Sequence, residues 1–259
     1  VQSLLEELTA DGTELGLQAV AYRNGELVID AFAGAADRAS GRPVDGDSLF
    51  TSFSTTKGVA SLALALAHSK RLLDYDEPVA RYWPEFAVAG KQDVTVRQLL
   101  SHQAGLCAID ERLELEDLLD LDRVAEAIAA QKPAWEPGTR HGYHGITLGW
   151  YEGELIRRVD PQGRTLGRFF ADEVAAPLGI EFHIGLPDDV PPERIARIHG
   201  YQPAEMLLHL HEFPPRFVLG FLNPRSVTYR AFGNPRITGL LNEYNRRELN
   251  YVFGQGFPT

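Results

Sequence analysis

Residues 49–73 read LFTSFSTTKGVASLALALAHSKRLL, and that stretch decides what kind of molecule this is. From Val59 to Leu73 small and apolar residues run too continuously for a surface helix, which predicts a buried one. At its head stands Ser54-Thr55-Thr56-Lys57, an S-x-x-K arrangement. Residues three apart share a helical face, so the hydroxyl and the ammonium can meet. A helix start also offers unpaired backbone N–H groups and a partial positive charge, both useful to an oxyanion formed when a serine attacks a carbonyl. A lysine heading an otherwise apolar helix is partly desolvated, which favours its neutral, basic form. By themselves these residues also allow a plainer reading, with Ser54 an ordinary N-cap and Lys57 a snorkelling surface lysine.

Towards the N-terminus, LQAVAY (17–22) and ELVIDAFAG (26–34) are two β-type runs joined by Asn24-Gly25. That pair tolerates the positive φ angles of a type I′ turn and predicts a hairpin. Leu4, Leu5 and Leu8 predict a short amphipathic helix before it. Towards the C-terminus, Thr95 and Gln98 form a T-x-x-Q capping box opening a short helix, VRQLL, with Gly105 expected to end that turn. Residues 113–131 are rich in helix formers, with Leu115, Leu118, Leu119 and Val124 near helical spacing, and their acidic residues read as a solvated face rather than a metal site. Further helices are expected from about Thr147 to Val159 and from about Leu166 to Ala175. The order of hairpin, buried helix and long helical stretch predicts one domain over residues 1–259. This is an α/β fold with an antiparallel sheet flanked by helices and a helical subdomain inserted at about residues 75–200, the active site lying in the cleft between them.

The totals narrow the function. A chain of 259 residues with 44% apolar content can bury a sizeable core, and a net charge of −11 argues against nucleic acid or an anionic membrane surface as partner. No apolar run approaches the roughly 18 residues of a membrane span, and VQSLLEELTADG has no signal-peptide pattern. One cysteine, Cys107, excludes an internal disulfide and fits a reducing compartment, so a cytoplasmic location is expected. Nothing electropositive surrounds Cys107 in the sequence, which favours a packing role over a nucleophilic one.

Four blocks are similar to one family in that family's order: FSTTKGVASLALALAHSKRLLDYDEPVARYWPEF, VTVRQLLSHQAGL, AWEPGTRHGYHGITLGWYEGELIRRV and VAAPLGI. Together, over about residues 15–186, they resemble the serine β-lactamase-like family. That family includes class C β-lactamases, family VIII carboxylesterases and D-alanyl-D-alanine peptidases. The resemblance implies Ser54 as acyl-accepting nucleophile, Lys57 as its activator and Tyr143 as a third catalytic group sharing a proton with the lysine. A phenol becomes a useful base only where a cation favours the phenolate, so the last two act as one coupled pair. In class C β-lactamases the second residue after the tyrosine is an asparagine that contacts the substrate amide; here it is Gly145, which favours ester over amide hydrolysis. Gly145 then belongs to the substrate site.

In LHEFPPRFVLGFLNP (210–224), within the aromatic and proline-rich stretch 203–236, Phe213, Phe217 and Phe221 either line an acyl pocket or are ordinary core. No G-x-S-x-G occurs, so an α/β-hydrolase esterase is not supported. Histidines 102, 141 and 144 invite a Ser-His-Asp reading that the resemblance disfavours. His209 and His211 lack matched ligand partners, so no metal is expected. No cofactor is needed.

The family's third motif, K-T-G or a variant, is not in the sequence. It supplies a second oxyanion N–H, whose loss costs on the order of 10²–10³ in rate, and without its strand a sheet edge would stay open. VFGQGF (252–257) is similar to a strand from much later in the family, so a break in the chain near Tyr251 and Val252, and further sequence after Thr259, are expected. The expected reaction is hydrolysis of a small-molecule ester or amide, most simply a short-chain carboxylic ester. D-alanyl peptidase, weak β-lactamase and acyltransferase activities use the same residues, and a non-catalytic scaffold keeping the fold is the reading from another class.

Overall fold

A computed structural model describes residues 1–114, 116–199 and 209–234. The expected break at residues 251 and 252, and the parts of the aromatic stretch at 203–208 and 235–236, lie outside the described residues. The fold is mixed α/β, and the chain divides into two compact units.

The first unit comprises residues 1–51 and 187–199. Helix α1 (Gln2–Ala10) buries Leu5, and the hairpin pairs β1 (Gly16–Arg23) antiparallel with β2 (Glu26–Asp37). Asn24 and Gly25 take φ values of 53° and 84°, the consecutive left-handed pair that the turn demands. Strand β3 (Arg42–Pro43) completes a three-stranded sheet in the order β1-β2-β3. Residues 187–199 return to this unit: Leu49 bridges Ile195, Arg42 Nη2 donates to the Ile195 carbonyl at 2.7 Å, and Ala196 packs with Ala36 and Val44.

The second unit comprises Ser52–Leu186 together with the described residues 209–234. Its spine is α2 (Thr55–Ser69) against α5 (Leu148–Val159). The buried side of α2 is Thr56, Lys57, Ala60, Ala63, Leu64 and Ala67, an i, i+3, i+4 stripe, while Leu62 is 49% exposed. The wholly buried helix expected from its composition is therefore corrected to one buried along a single face. Alanine and leucine are strong helix formers wherever they point, so composition hides which side is packed.

Helix α3 (Val96–Leu100) begins with the reciprocal Thr95–Gln98 capping box. It covers VRQLL as expected, but a left-handed step at His102, φ 62°, precedes the one expected at Gly105, φ 73°. The continuous helix expected over 113–131 is also corrected. A 3₁₀ turn over Glu116–Leu119 is cut off by Asp120, whose carboxylate accepts from the N–H groups of Asp122 and Arg123 and caps α4 (Leu121–Ala130). Helix α6 (Leu166–Phe170) continues through a π turn, Ala171–Ala175, into α7 (Ala176–Leu178), which stops at left-handed Gly179. Two short helices follow, α8 (Pro215–Phe221) and α9 (Val227–Gly233). The core gathers Leu64, Trp83, Phe86, Leu99, Leu106, Tyr151, Phe169 and Phe170, with Tyr151 edge-on to Phe86 at 6.2 Å between ring centres.

Candidate active site

Ser54 occupies the N-cap position of α2, yet its side chain caps nothing. Phe53 immediately before it has φ 45°, a left-handed value that a bulky aromatic adopts only under constraint. The first turn is tight, with the N–H groups of Thr55, Thr56 and Lys57 reaching back to the carbonyls of Ser52, Phe53 and Ser54. The Ser54 hydroxyl makes no capping bond to the backbone of its helix. Its Oγ accepts from Lys57 Nζ at 3.2 Å and from the Tyr143 hydroxyl at 2.7 Å. Lys57 Nζ lies 5.3 Å from the centre of the Tyr143 ring, so the ammonium also faces the aromatic whose oxygen shares its acceptor. Lys57 is buried while Ser54 and Tyr143 are open to solvent.

Tyr143 is delivered by the loop 141–145, and that loop is held by residues with no part in the expected triad. Gly142 N–H donates to the His102 carbonyl at 3.0 Å, and His144 N–H donates to His102 Nδ1 at 3.1 Å. His144, fully buried, accepts on Nε2 from the Leu106 N–H at 3.1 Å. The Gly142 position admits no side chain, since a Cβ there would lie 2.3 Å from Cη2 of Trp135. The left-handed turn at His102 is what aims its ring at this loop, edge-on to Tyr143 at 5.0 Å.

The same bonds remove His102 and His144 from a Ser-His-Asp role. Each uses one ring nitrogen as an acceptor for a backbone N–H, which assigns the neutral tautomer carrying its proton on the other nitrogen. Burial, with help from His141 and Lys57, pushes His102 down to about 4. Burial pushes His144 down to about 3, with smaller contributions from His102 and His141. Neither of these two accepting nitrogens is available to take a proton from Ser54. Sequence reasoning had the three histidines near the motifs but not their structural use, because His102 and His144 are far apart in sequence and meet through backbone atoms.

The aromatic residues expected near the substrate do come together. Ring centres are 5.9 Å apart for Phe213 and Phe217, and 5.0 Å for Phe217 and Phe221. Phe232 of α9, which sequence reading missed, joins both at 6.2 and 5.7 Å. A Cβ on Gly145 would stand 3.4 Å from the Tyr143 ring and 3.7 Å from the Phe232 ring, so the glycine leaves space where these two aromatics converge. The segment is tied down by a two-pronged ion pair from Arg230 to Asp110 at 2.7 and 2.6 Å, and by Asn234 Nδ2 donating to the carbonyls of Ile109 and Glu111. His209 Nδ1 pairs with Glu212 at 2.7 Å. Cys107 is buried, and burial raises its thiol, as a packing role implies. No helix among the described residues is long and apolar enough to cross a membrane.

The model of the beta-lactamase family matches residues 1–209. An esterase/beta-lactamase, LipL, from Mycobacterium tuberculosis (strain ATCC 25618 / H37Rv) is 38% identical over 178 residues, covering 68% of this chain and 41% of its own. Esterase EstB of Burkholderia gladioli is 30% identical over 184 residues, covering 64% of this chain and 46% of its own. The chain thus spans less than half the length of these two relatives. The crystal structure of a family VIII carboxylesterase superposes with a TM-score of 0.78 at 37% identity, over 97% of this chain and 62% of that one. With its antiparallel sheet and helices in the beta-lactamase/transpeptidase-like arrangement, this chain belongs to the beta-lactamase family.

Proposed function

We propose that the protein is a serine hydrolase that cleaves small carboxylic esters through an acyl-enzyme on Ser54. The observation that carries this reading is a serine at the head of a helix whose hydroxyl does not cap that helix and instead accepts from both Lys57 and Tyr143. An N-cap serine ordinarily satisfies its own helix, and diverting it forgoes about 1 kcal/mol of capping stabilisation. Function accounts for that diversion where packing does not.

In the proposed cycle Ser54 Oγ bonds to the ester carbonyl carbon while its proton passes to the Lys57–Tyr143 pair, once that pair has lost a proton. The carbonyl oxygen becomes an oxyanion at the start of α2. There the Thr55, Thr56 and Lys57 N–H groups are already engaged, so the Ser54 N–H is the helix's contribution. The C–O bond to the leaving alcohol breaks, and the pair returns its proton to that oxygen. Water then adds to the acyl carbon by the same proton route and releases the acid. Gly145 offers no side-chain amide to a substrate peptide group, which favours esters over amides, and Phe213, Phe217, Phe221 and Phe232 provide an apolar wall for the acyl chain.

Intact-protein mass after exposure to a fluorophosphonate tests the reading. Wild type is expected to gain one adduct, Ser54→Ala none, and Lys57→Ala an adduct that forms about 10²–10⁴ times more slowly. A folded wild type that stays unmodified removes the hydrolase reading.

A further inference from the structure

The interface between α2 and α5 buries an acidic group that the cycle above does not use. Glu152 projects from α5 with no exposed surface. Its Oε1 accepts from Ser61 Oγ at 2.7 Å, and its Oε2 has no hydrogen-bond partner among the described residues. Ser61 is half-buried one helical turn along α2 from Lys57, so its bond holds the Glu152 carboxyl against the same side of α2 that carries the lysine. An ionised carboxylate with one oxygen unsatisfied in such a place is costly, whereas the protonated form is not. Accordingly burial drives Glu152 up to about 8, while the Ser61 hydrogen bond and the charge of Lys57 pull the other way.

The remaining helices packed on α5 direct their charges elsewhere. In α3, Arg97 pairs with Asp76; in α4, Asp122 pairs with Arg157, Arg123 pairs with Glu111 and Glu126 is exposed to solvent; in α6, Arg168 pairs with Asp172. On α5 itself, Glu154 is taken by Arg157 and Arg158. Lys57, from α2, is the cation that acts on Glu152.

We infer that Glu152 is a positioning residue of the Ser54–Lys57–Tyr143 group, which anchors the second turn of α2 through Ser61 and sets, by its own ionisation, how readily Lys57 gives up a proton. The inference rests on the hydrolase reading above. Below the titration of Glu152 the carboxyl is neutral and adds no charge on that side of Lys57. Above it the new negative charge favours the ammonium, and activation of Ser54 is postponed to higher pH. The device would hold reactivity nearly level through weakly alkaline conditions instead of letting it climb.

The rate of fluorophosphonate labelling from about pH 6 to about pH 10 distinguishes this from a purely structural role. Glu152→Gln keeps the shape and an acceptor for Ser61, so fold and labelling stoichiometry are expected to persist. The alkaline rise is expected to move to lower pH by half a unit or more, making the variant roughly threefold faster than wild type near pH 8. Superimposable profiles would overturn the inference. If wild type does not label at all, the hydrolase reading fails and a second measurement still decides the coupling. The carboxylic C=O infrared band, identified by its loss in Glu152→Gln, is titrated in wild type and in Lys57→Met. Its midpoint is expected to rise when the lysine charge is removed; an unmoved midpoint in a folded Lys57→Met protein shows that the two groups are not coupled.

Discussion

At the start of α2, polar side chains from two places in the chain converge on one oxygen, and the loop that brings Tyr143 is held by hydrogen bonds through His102 and His144. Along residues 209–234, in the same compact unit, four phenylalanines meet ring to ring, with Phe213 42% and Phe221 40% exposed and two polar ties at Asp110 and Asn234. The first region uses directional interactions that tolerate little displacement, because hydrogen bonds weaken steeply with distance and angle. The second uses apolar contacts that are nearly indifferent to direction. Proton transfer needs the former and an apolar acyl chain suits the latter, so the contrast fits the acyl-transfer reaction proposed above.

The sharpest way to break the contrast is at Gly142. A methyl at this position meets the Trp135 ring at 2.3 Å, so Gly142→Ala must displace either the indole or the loop that carries Tyr143. Thermal unfolding is expected to show a loss of about 1–3 kcal/mol. Labelling of Ser54 is expected to slow by about 10² or more, because a small misplacement of a proton-transfer group is severe. A variant that is destabilised but labels at the wild-type rate would show that the loop need not be rigid.

A second test uses pH. The native pKa of His144 lies near 3, against about 6.5 in an unfolded chain, so between those values the unfolded state binds the additional proton. Stability associated with this group is therefore complete above about pH 6.5 and declines as the pH falls towards its native value, by up to about 1.4 kcal/mol per pH unit. Denaturant titrations at several pH values are expected to give a shallower decline for His144→Gln than for wild type, together with lower stability at neutral pH from disturbance of the bond to Leu106 N–H. Equal slopes would mean that His144 does not remain neutral in the fold.

The smallest effect is expected where contacts are apolar. Phe217→Ala removes the ring that touches Phe213, Phe221 and Phe232. It is expected to lower kcat/KM for long-chain p-nitrophenyl esters by roughly tenfold relative to the acetate, with fluorophosphonate labelling changed little. An equal loss on all esters would assign Phe217 to the core instead of the acyl wall.

Much of this was visible beforehand. Asn24-Gly25 announced its hairpin, Thr95 and Gln98 their capping box, and the apolar run after Lys57 its helix, because each depends on residues within a few positions of one another. The helix expected over 113–131 failed for a local reason too: Asp120, a poor interior residue and a good cap, starts a new helix in the middle of helix-forming sequence. The site divides the same way. Ser54 and Lys57 were legible because one helical turn joins them, and Tyr143 was legible through the resemblance. Phe232 and Glu152 were not, since the partners that give them meaning, Gly145 and Ser61, lie 87 and 91 positions away.

By itself, then, the sequence determined the local elements and the chemical types available at the head of α2, because propensity, capping and turn geometry act over a few residues. Tertiary structure alone decided which groups face one another. It brought the Tyr143 hydroxyl to Ser54, spent His102 and His144 on backbone N–H groups, and shut the Glu152 carboxyl away from water against Ser61 of α2. Those outcomes follow from burial, which makes an unsatisfied polar group costly and so obliges distant residues to find each other.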